Sequence, residues 1–164
     1  MKLKLIVAAV LSLSAVAASA ASVDLGTLDG TGFDSTGGFS GKFALGAPIN
    51  DAWSFTLETA SNVSFGAQQS FSFGNGITSF AGVLDGYGPL TLTVNPANTQ
   101  ANLNWSGLLA AGTYTVHLSG ISGAKNTTYG TTLAATPVPE PESYALLMAG
   151  LGVLAFVARR RKSV

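Results

Sequence analysis

Few side chains in this sequence could take part in catalysis. The 164 residues include one histidine, eight acidic residues and no cysteine. His117 lies in a run with apolar residues at every second position, and the alternation turns it to the opposite, solvent-facing side. The sequence has no Gly-x-Ser-x-Gly, no His-Glu-x-x-His and no phosphate-binding glycine loop. We therefore predict no enzyme activity, no catalytic residue, no cofactor and no metal.

Three acidic residues near the start of the chain recur at every fifth position: Asp24, Asp29 and Asp34. Carboxylate oxygens on a glycine-rich loop can hold calcium, but the Asp-x-Asp-x-Asp-Gly spacing of an EF-hand is missing. Aspartate also forms turns by accepting hydrogen bonds from nearby backbone N–H groups. We favour the turn-forming role for each residue, and calcium binding stays open as the alternative.

The segment before the last apolar run is suited to recognition by a protease or transpeptidase. Pro137, Pro139 and Pro141 occupy alternate positions, with Glu140 among them. Because proline fixes φ and has no backbone N–H, we expect this segment to form neither helix nor sheet. It would then stay extended and accessible to an enzyme at the membrane face.

An apolar run of 15 residues, 144–158, follows the prolines. As a helix it would be about 22 Å long, which is short of the ~30 Å hydrocarbon core of a bilayer. We predict a short transmembrane helix that holds the chain only weakly. A basic tail follows, which favours the cytoplasmic side and acts as the membrane stop. Its residues are Arg159, Arg160, Arg161 and Lys162.

The first 20 residues predict a signal peptide. Lys2 and Lys4 precede an apolar stretch at 5–16, which we expect to form the signal helix. The stretch is too short to span a bilayer. The small residues Ala18 and Ala20 occupy the −3 and −1 positions that signal peptidase accepts. We predict cleavage after Ala20.

The segment between the two ends, residues 21–137, is acidic. It contains six acidic and two basic residues, a net charge of −4, whereas the whole chain is neutral. Most basic residues therefore lie in the terminal segments. Such a domain is a poor candidate for binding the phosphates of nucleic acid, so we predict no nucleic-acid partner.

The hydrophobic pattern of this segment predicts short β-strands. Residues 53–57 (WSFTL) and 114–118 (YTVHL) alternate strictly, and shorter alternations occur at 63–65, 71–73, 90–94 and 103–105. Gly, Asn, Asp and Pro cluster between them, for example at 85–89. We therefore predict an all-β fold over residues 21–136, an antiparallel sandwich of two sheets, with a barrel as the less favoured closure.

The C-terminal residues resemble the PEP-CTERM sorting signal. Residues 138–143 (VPEPES) contain the Pro-Glu-Pro motif, and a glycine-bearing apolar run and a basic cluster follow it. The resemblance implies that residues 137–164 are a sorting signal and that an exosortase recognises Pro139, Glu140 and Pro141. It also implies removal of the tail after transient anchoring in the inner membrane. The product would be released or attached at the surface of a Gram-negative bacterium that makes exopolysaccharide.

The middle of the chain resembles FxDxF-type PEP-CTERM proteins. Residues 49–57 (INDAWSFTL) match the signature with Ile in place of the first Phe and Trp in place of the second. Residues 108–116 (LLAAGTYTV) resemble the late strand of that group, and an alternative register at 39–43 (FSGKF) has Gly where Asp belongs. The predicted motif residues, with an architectural role, are Ile49, Asp51, Trp53 and Phe55. The late strands also resemble pre-peptidase C-terminal domains, which implies a jelly-roll-like sandwich.

Two classes of function fit these observations. The first is a noncatalytic exported protein of the cell surface, extracellular matrix or biofilm, with signal peptidase, exosortase and exopolysaccharide as partners. The second is a carbohydrate-binding module in which Trp105, Tyr87 or Tyr129 stacks on sugar rings from an exposed loop. An aromatic ring on an open face near Asn and Asp side chains would favour the second class.

Overall fold

The computed structural model of this protein describes residues 20–72, 75–139 and 141–161. Within those ranges the chain forms ten strands in two five-stranded sheets and one C-terminal helix. The predicted signal helix, with Ala18, lies outside the described residues, as do Glu140 and Lys162.

The two sheets are named I and II here. Sheet I contains, in order across it, β1 (Ser22–Leu28), β3 (Pro48–Leu57), β9 (Gly112–Ile121), β5 (Thr78–Leu84) and β6 (Gly88–Pro89). Sheet II contains β2 (Asp34–Phe39), β10 (Gly130–Pro137), β4 (Ser61–Ser70), β8 (Gln100–Leu109) and β7 (Thr91–Val94). The helix, α1, spans Pro141–Arg161.

The two sheets agree with the predicted sandwich, with one difference in strand direction. All neighbours pair antiparallel except β1 and β3, which are parallel. Parallel partners need a crossover connection, and here β2 in the opposite sheet supplies it. The prediction of a purely antiparallel sandwich is therefore wrong at this edge.

The core lies between the sheets and is built from residues at every second position. On β3 the buried residues are Ile49, Asp51, Trp53, Phe55 and Leu57, and the residues that alternate with them are more exposed. Trp53 has no exposed surface. This confirms the inward orientation that the alternation predicts for residues 53–57, because successive side chains of a strand point to opposite faces.

Other predicted strands have mixed outcomes. Runs 63–65, 103–105 and 114–118 lie in β4, β8 and β9. The prediction of a strand at 71–73 is wrong at its start, because β4 ends at Ser70 and Phe71 donates its backbone N–H to the Thr99 carbonyl at 2.8 Å instead. Strand β7 forms, but its four residues are exposed, so it is not the half-buried strand predicted.

The turn predicted at 85–89 joins β5 to β6. Gly86 and Gly88 have φ of +77° and +103°, a region that side chains with a Cβ rarely adopt. The Tyr87 N–H donates to the Leu84 carbonyl at 3.0 Å and closes the turn. Glycine at both positions is therefore what allows Tyr87 to be held at this end of the sandwich.

Candidate functional site

The tail begins directly at the end of a central strand. Pro137 is the last residue of β10 and lies opposite Ser61 of β4. The next residue, Val138, donates its N–H to the Ala60 carbonyl at 2.9 Å. The prediction that the prolines exclude sheet pairing is therefore wrong for Pro137, because Val138 supplies the N–H that bonds to the neighbouring strand here and the N–H that proline lacks is not needed.

Residues 138–140 connect β10 to α1, and Pro141 is the first helical residue. Proline suits that position, since its fixed φ matches a helix and the N–H it lacks would have no helical partner. Pro139 is exposed in the connection. Of the three predicted sorting residues, Pro139 therefore lies outside regular structure. The prediction that this segment forms no helix is wrong for Pro141, which begins α1.

The described side chains of α1, at 144–160, are all exposed. Large apolar residues such as Leu146 and Phe156 lie among them, and Arg159 and Arg160 follow near the end of the helix. The helix buries none of these side chains against the sandwich. An apolar helix whose side chains are exposed is suited to binding a partner that covers its apolar surface.

The prediction of a short transmembrane helix at 144–158 is not supported. In the part of the chain that the structure describes, no helix combines the length and the apolar character needed to cross a membrane. The physical reason is the one visible in the sequence, an apolar run of 15 residues where about 20 are needed.

Asp51, the acidic residue of the FxDxF-like stretch, is only 1 % exposed. Its Oδ1 accepts a hydrogen bond from the Ala21 backbone N–H at 3.1 Å, and its Oδ2 accepts one from the Tyr129 hydroxyl. The Trp53 Nε1–H donates to the same hydroxyl at 3.0 Å. The stretch therefore supplies both core and a buried polar network, which we call the Asp51 network (Ala21, Asp51, Trp53 and Tyr129).

Both hydrogen-bond partners of Asp51 are distant from it in sequence. Its backbone partner lies 30 residues earlier, and its hydroxyl partner 78 residues later. The network joins the start of the domain, β3 and the residue before β10. Burial raises the pKa of the Tyr129 hydroxyl far above its ordinary value, with a further contribution from the bond to Asp51.

Removing the Tyr129 hydroxyl tests the network. We expect Tyr129→Phe to lower the free energy of unfolding by about 1–3 kcal/mol, because it leaves the Asp51 oxygen and the Trp53 N–H without their partner inside the core. Tyr114→Phe is the matched control. The Tyr114 hydroxyl donates to the Ala110 carbonyl at 2.9 Å in an exposed position, where water can replace it. Urea denaturation of both variants compares them, and equal midpoints would contradict the assignment.

The aromatic residues predicted to stack on sugars do not form one site. Tyr129 is buried, so the stacking prediction is wrong for it. Tyr87 is 49 % exposed, and its ring meets the Trp105 and Tyr114 rings edge-on at centroid distances of 5.9 and 5.8 Å. Trp105 is only partly buried against the core. These three rings cover one end of the sandwich.

The outer face of sheet II carries a different candidate, which sequence reasoning missed. A groove of about 460 Å³ lies across β10, β4 and β8, with Gly130 and Gly66 among its lining residues. Phe39, on the adjacent β2, is 85 % exposed and lines the same groove. No charged residue is among the described residues that line it. Its polar lining includes Gln68, Ser70, Asn102, Asn104, Thr128 and Thr132.

Strand register explains why this face is open. Phe39 lies opposite Gly130, which lies opposite Gln68, which lies opposite Asn102, so the four residues form one row across sheet II. A Cβ added at Gly130 would come within 3.1 Å of the Phe39 ring. Glycine there lets the ring lie close to the sheet surface, with amide side chains beyond it.

The remaining polar candidates are on the surface. His117 is exposed and pairs with Asp85 at 3.2 Å, a geometry of little energetic value in water. Asp24 and Asp29 accept backbone N–H groups two residues ahead, from Gly26 and Thr31. The turn-forming prediction is wrong for Asp24, which lies within β1, and it agrees with the position of Asp29 after that strand. The hydrogen bonds from Thr31 lower the pKa of the Asp29 carboxyl.

Nowhere in the described ranges do three His, Cys, Asp or Glu side chains gather in a group able to hold a metal.

Several solved structures resemble the fold at low sequence identity. The pre-peptidase C-terminal domain of a collagenase from Bacillus anthracis is 15 % identical, with a TM-score of 0.44, and the match covers 70 % of this chain and 95 % of that one. A CBM35 from Cellvibrio japonicus is 15 % identical, with a TM-score of 0.36 and coverages of 59 % and 74 %. A periplasmic g-type lysozyme inhibitor from Aeromonas hydrophila is 15 % identical, with a TM-score of 0.28 and coverages of 71 % and 98 %.

No curated protein sequence matches the chain. Residues 137–162 do match a protein family, described as the PEP-CTERM protein-sorting motif. The match begins at the last residue of β10 and covers the prolines, α1 and the basic tail. The protein therefore carries a PEP-CTERM sorting motif at its C-terminus, which implies export and recognition by an exosortase.

Proposed function

We propose that this chain is a noncatalytic exported protein that an exosortase transfers from the inner membrane to the cell surface or the extracellular matrix. The observation that carries the proposal is the C-terminal one. A PEP-CTERM motif at 137–162 coincides with an apolar helix whose described side chains are all exposed. A tail that the domain does not cover is available to a membrane and to an enzyme. The tail is then a temporary sorting signal that is removed by cleavage.

In this proposal α1 associates with the inner membrane only transiently. Its apolar surface favours the lipid, and the basic residues at its end favour anionic lipid headgroups. The connection at 138–140 then lies next to the membrane, where the exosortase acts.

The FxDxF-type subgroup assignment is supported by the shared burial of Ile49, Asp51, Trp53 and Phe55 on one face of β3.

Fractionation and intact mass test the proposal. In a host with its exosortase, the surface or released form should lack roughly the last 25 residues. In the same host without the exosortase, the chain should retain them and stay with the membrane fraction. A surface form that still contains Val164 would overturn exosortase processing.

Association with exopolysaccharide is the second part of the proposal, and the groove on sheet II favours it. The groove offers amide and hydroxyl groups, which both donate and accept hydrogen bonds, and one exposed ring, Phe39. An uncharged sugar needs those groups and no counter-charge. Its axial C–H groups can pack on the face of an aromatic ring. We therefore propose a neutral polysaccharide as the ligand of this face.

Affinity electrophoresis of the mature protein through gels containing the host's own exopolysaccharide, or dextran as a neutral glucan, tests this. We expect Phe39→Ala to weaken binding by up to about tenfold, because stacking of one ring is worth about 0.5–1.5 kcal/mol. Tyr87→Ala is the comparison, since Tyr87 lies at the end of the sandwich and outside the groove. Loss of binding in Tyr87→Ala alone would move the sugar site to that end.

A further inference from the structure

The buried carboxylate of Asp51 lies beside the nitrogen that signal-peptide cleavage would release. Asp51 is 1 % exposed, and its described partners are the Ala21 N–H at 3.1 Å and the Tyr129 hydroxyl. Both partners are neutral. A buried carboxylate without a positive partner is costly, because neutral donors replace only part of its hydration.

The backbone of Ala21 is fixed to β3 on both sides. Its N–H donates to Asp51 Oδ1 at 3.1 Å, and its carbonyl accepts the Ala52 N–H at 2.8 Å. Strand β1 continues from Ser22 in parallel register with β3. Residue 20 is exposed, whereas Ala21 is partly buried. The nitrogen of Ala21 is therefore held at the boundary between solvent and the Asp51 network.

We infer that Asp51 is a binding site for the α-ammonium group of Ala21, which cleavage after Ala20 creates. In that hydrolysis the Ala20 C–N bond breaks and one water is consumed. Ala20 leaves with a carboxylate, and the Ala21 nitrogen becomes an ammonium. A neutral N–H donor is thus replaced by a cation at the same place, facing Asp51 Oδ1. Processing would complete an ion pair that the uncleaved chain lacks.

This inference depends on the proposed export and on cleavage after Ala20, and not on sorting by an exosortase. Its consequence is that the uncleaved chain is less stable than the mature one. The neutral N–H already donates to the carboxylate, and an ammonium adds the direct attraction between opposite charges, which is stronger because the pair is shielded from water on the Asp51 side. The site would therefore stabilise the fold once the signal peptide is gone.

The test uses the full chain exported by a host cell that lacks an exosortase. One version is unchanged, and a second carries one glycine inserted between Ala20 and Ala21, which moves the new ammonium one residue away and restores a neutral N–H at Ala21. The structure, with Ala20 preceding Ala21, already accommodates such an extension. Each version is also made with Asp51→Asn. Intact mass establishes where each chain begins.

We expect the glycine insertion to lower the melting temperature by about 5 °C in the Asp51 chain and to have almost no effect in the Asp51→Asn chain. Equal shifts in both backgrounds would overturn the inference, and so would an unchanged chain whose mature form begins at a residue other than Ala21.

If Asp51→Asn does not fold, the rate of acylation of the α-amine at neutral pH decides between the outcomes. An ion-paired amine should react about tenfold more slowly in the folded chain than the amine of the glycine-extended chain. Equal rates would exclude the pair.

Discussion

Replacing Trp53 with alanine is expected to unfold the domain or to lower its free energy of unfolding by about 3–5 kcal/mol, much of the ~5–15 kcal/mol that domains usually have. Trp53 has no exposed surface, and its Nε1–H donates to the Tyr129 hydroxyl at 3.0 Å. Its ring also meets the Tyr129 ring edge-on at 6.0 Å. Alanine would therefore leave a large cavity and would also remove one donor from the Asp51 network.

The control for this variant is His117→Ala, on the neighbouring strand of the same sheet. His117 is exposed, and the pair it forms with Asp85 at 3.2 Å is also exposed. Its loss should change the free energy of unfolding by no more than about 0.5 kcal/mol. Far-UV circular dichroism in urea suits the comparison, because it does not depend on tryptophan fluorescence. Equal midpoints for the two variants would show that the inward and outward assignments are wrong.

Replacing Pro139, Glu140 and Pro141 with Gly-Ser-Gly is expected to abolish processing of the tail. If the tail were only an anchor, this change would leave its behaviour unaltered, because the apolar run and the basic residues are intact. If the exosortase reads the motif, a longer precursor should accumulate with the membrane fraction. Intact mass and fractionation in a host with the exosortase distinguish the two outcomes.

Deleting Arg159, Arg160, Arg161 and Lys162 provides a separate test of the same tail. The deletion keeps the motif and the apolar run, but it removes the positive charges that attract the tail to anionic lipid headgroups. We expect less precursor at the membrane and reduced processing. Normal processing of both tail variants would contradict recognition of the motif and the role of the basic residues together.

The sequence could predict the strands that have apolar residues at every second position. In β3 and β9 the inward side chains are large, as with Trp53 and Leu118, and the pattern is strict. Strand β1 was missed because Gly26, at φ +88°, interrupts the alternation, and its register with β3 shifts between Asp24 and Thr27. Strands β2 and β10 consist mostly of small and polar residues, so their side chains show no apolar alternation. Backbone hydrogen bonds to the neighbouring strands define them instead.

The candidate sites could be predicted only where a local motif carries them. Pro139, Glu140 and Pro141 are contiguous, so the sorting motif is readable from sequence. The Asp51 network joins residues 30 and 78 positions away from Asp51, which no local pattern indicates. Phe39 was missed for another reason, since a large apolar side chain is normally expected in the core. The glycine and serine residues around it, in GGFSG, could have indicated that Phe39 does not belong to an alternating apolar face.

The short connection between β10 and α1 limits how far the domain can move after sorting. Residues 138–140 span at most about 10 Å when fully extended. An enzyme that cuts or ligates beside Pro139 must therefore approach almost to the surface of sheet II. If the product is joined to a larger molecule at this point, it has no flexible spacer. The outer face of sheet II would then stay close to that molecule, at a distance that the three connecting residues limit.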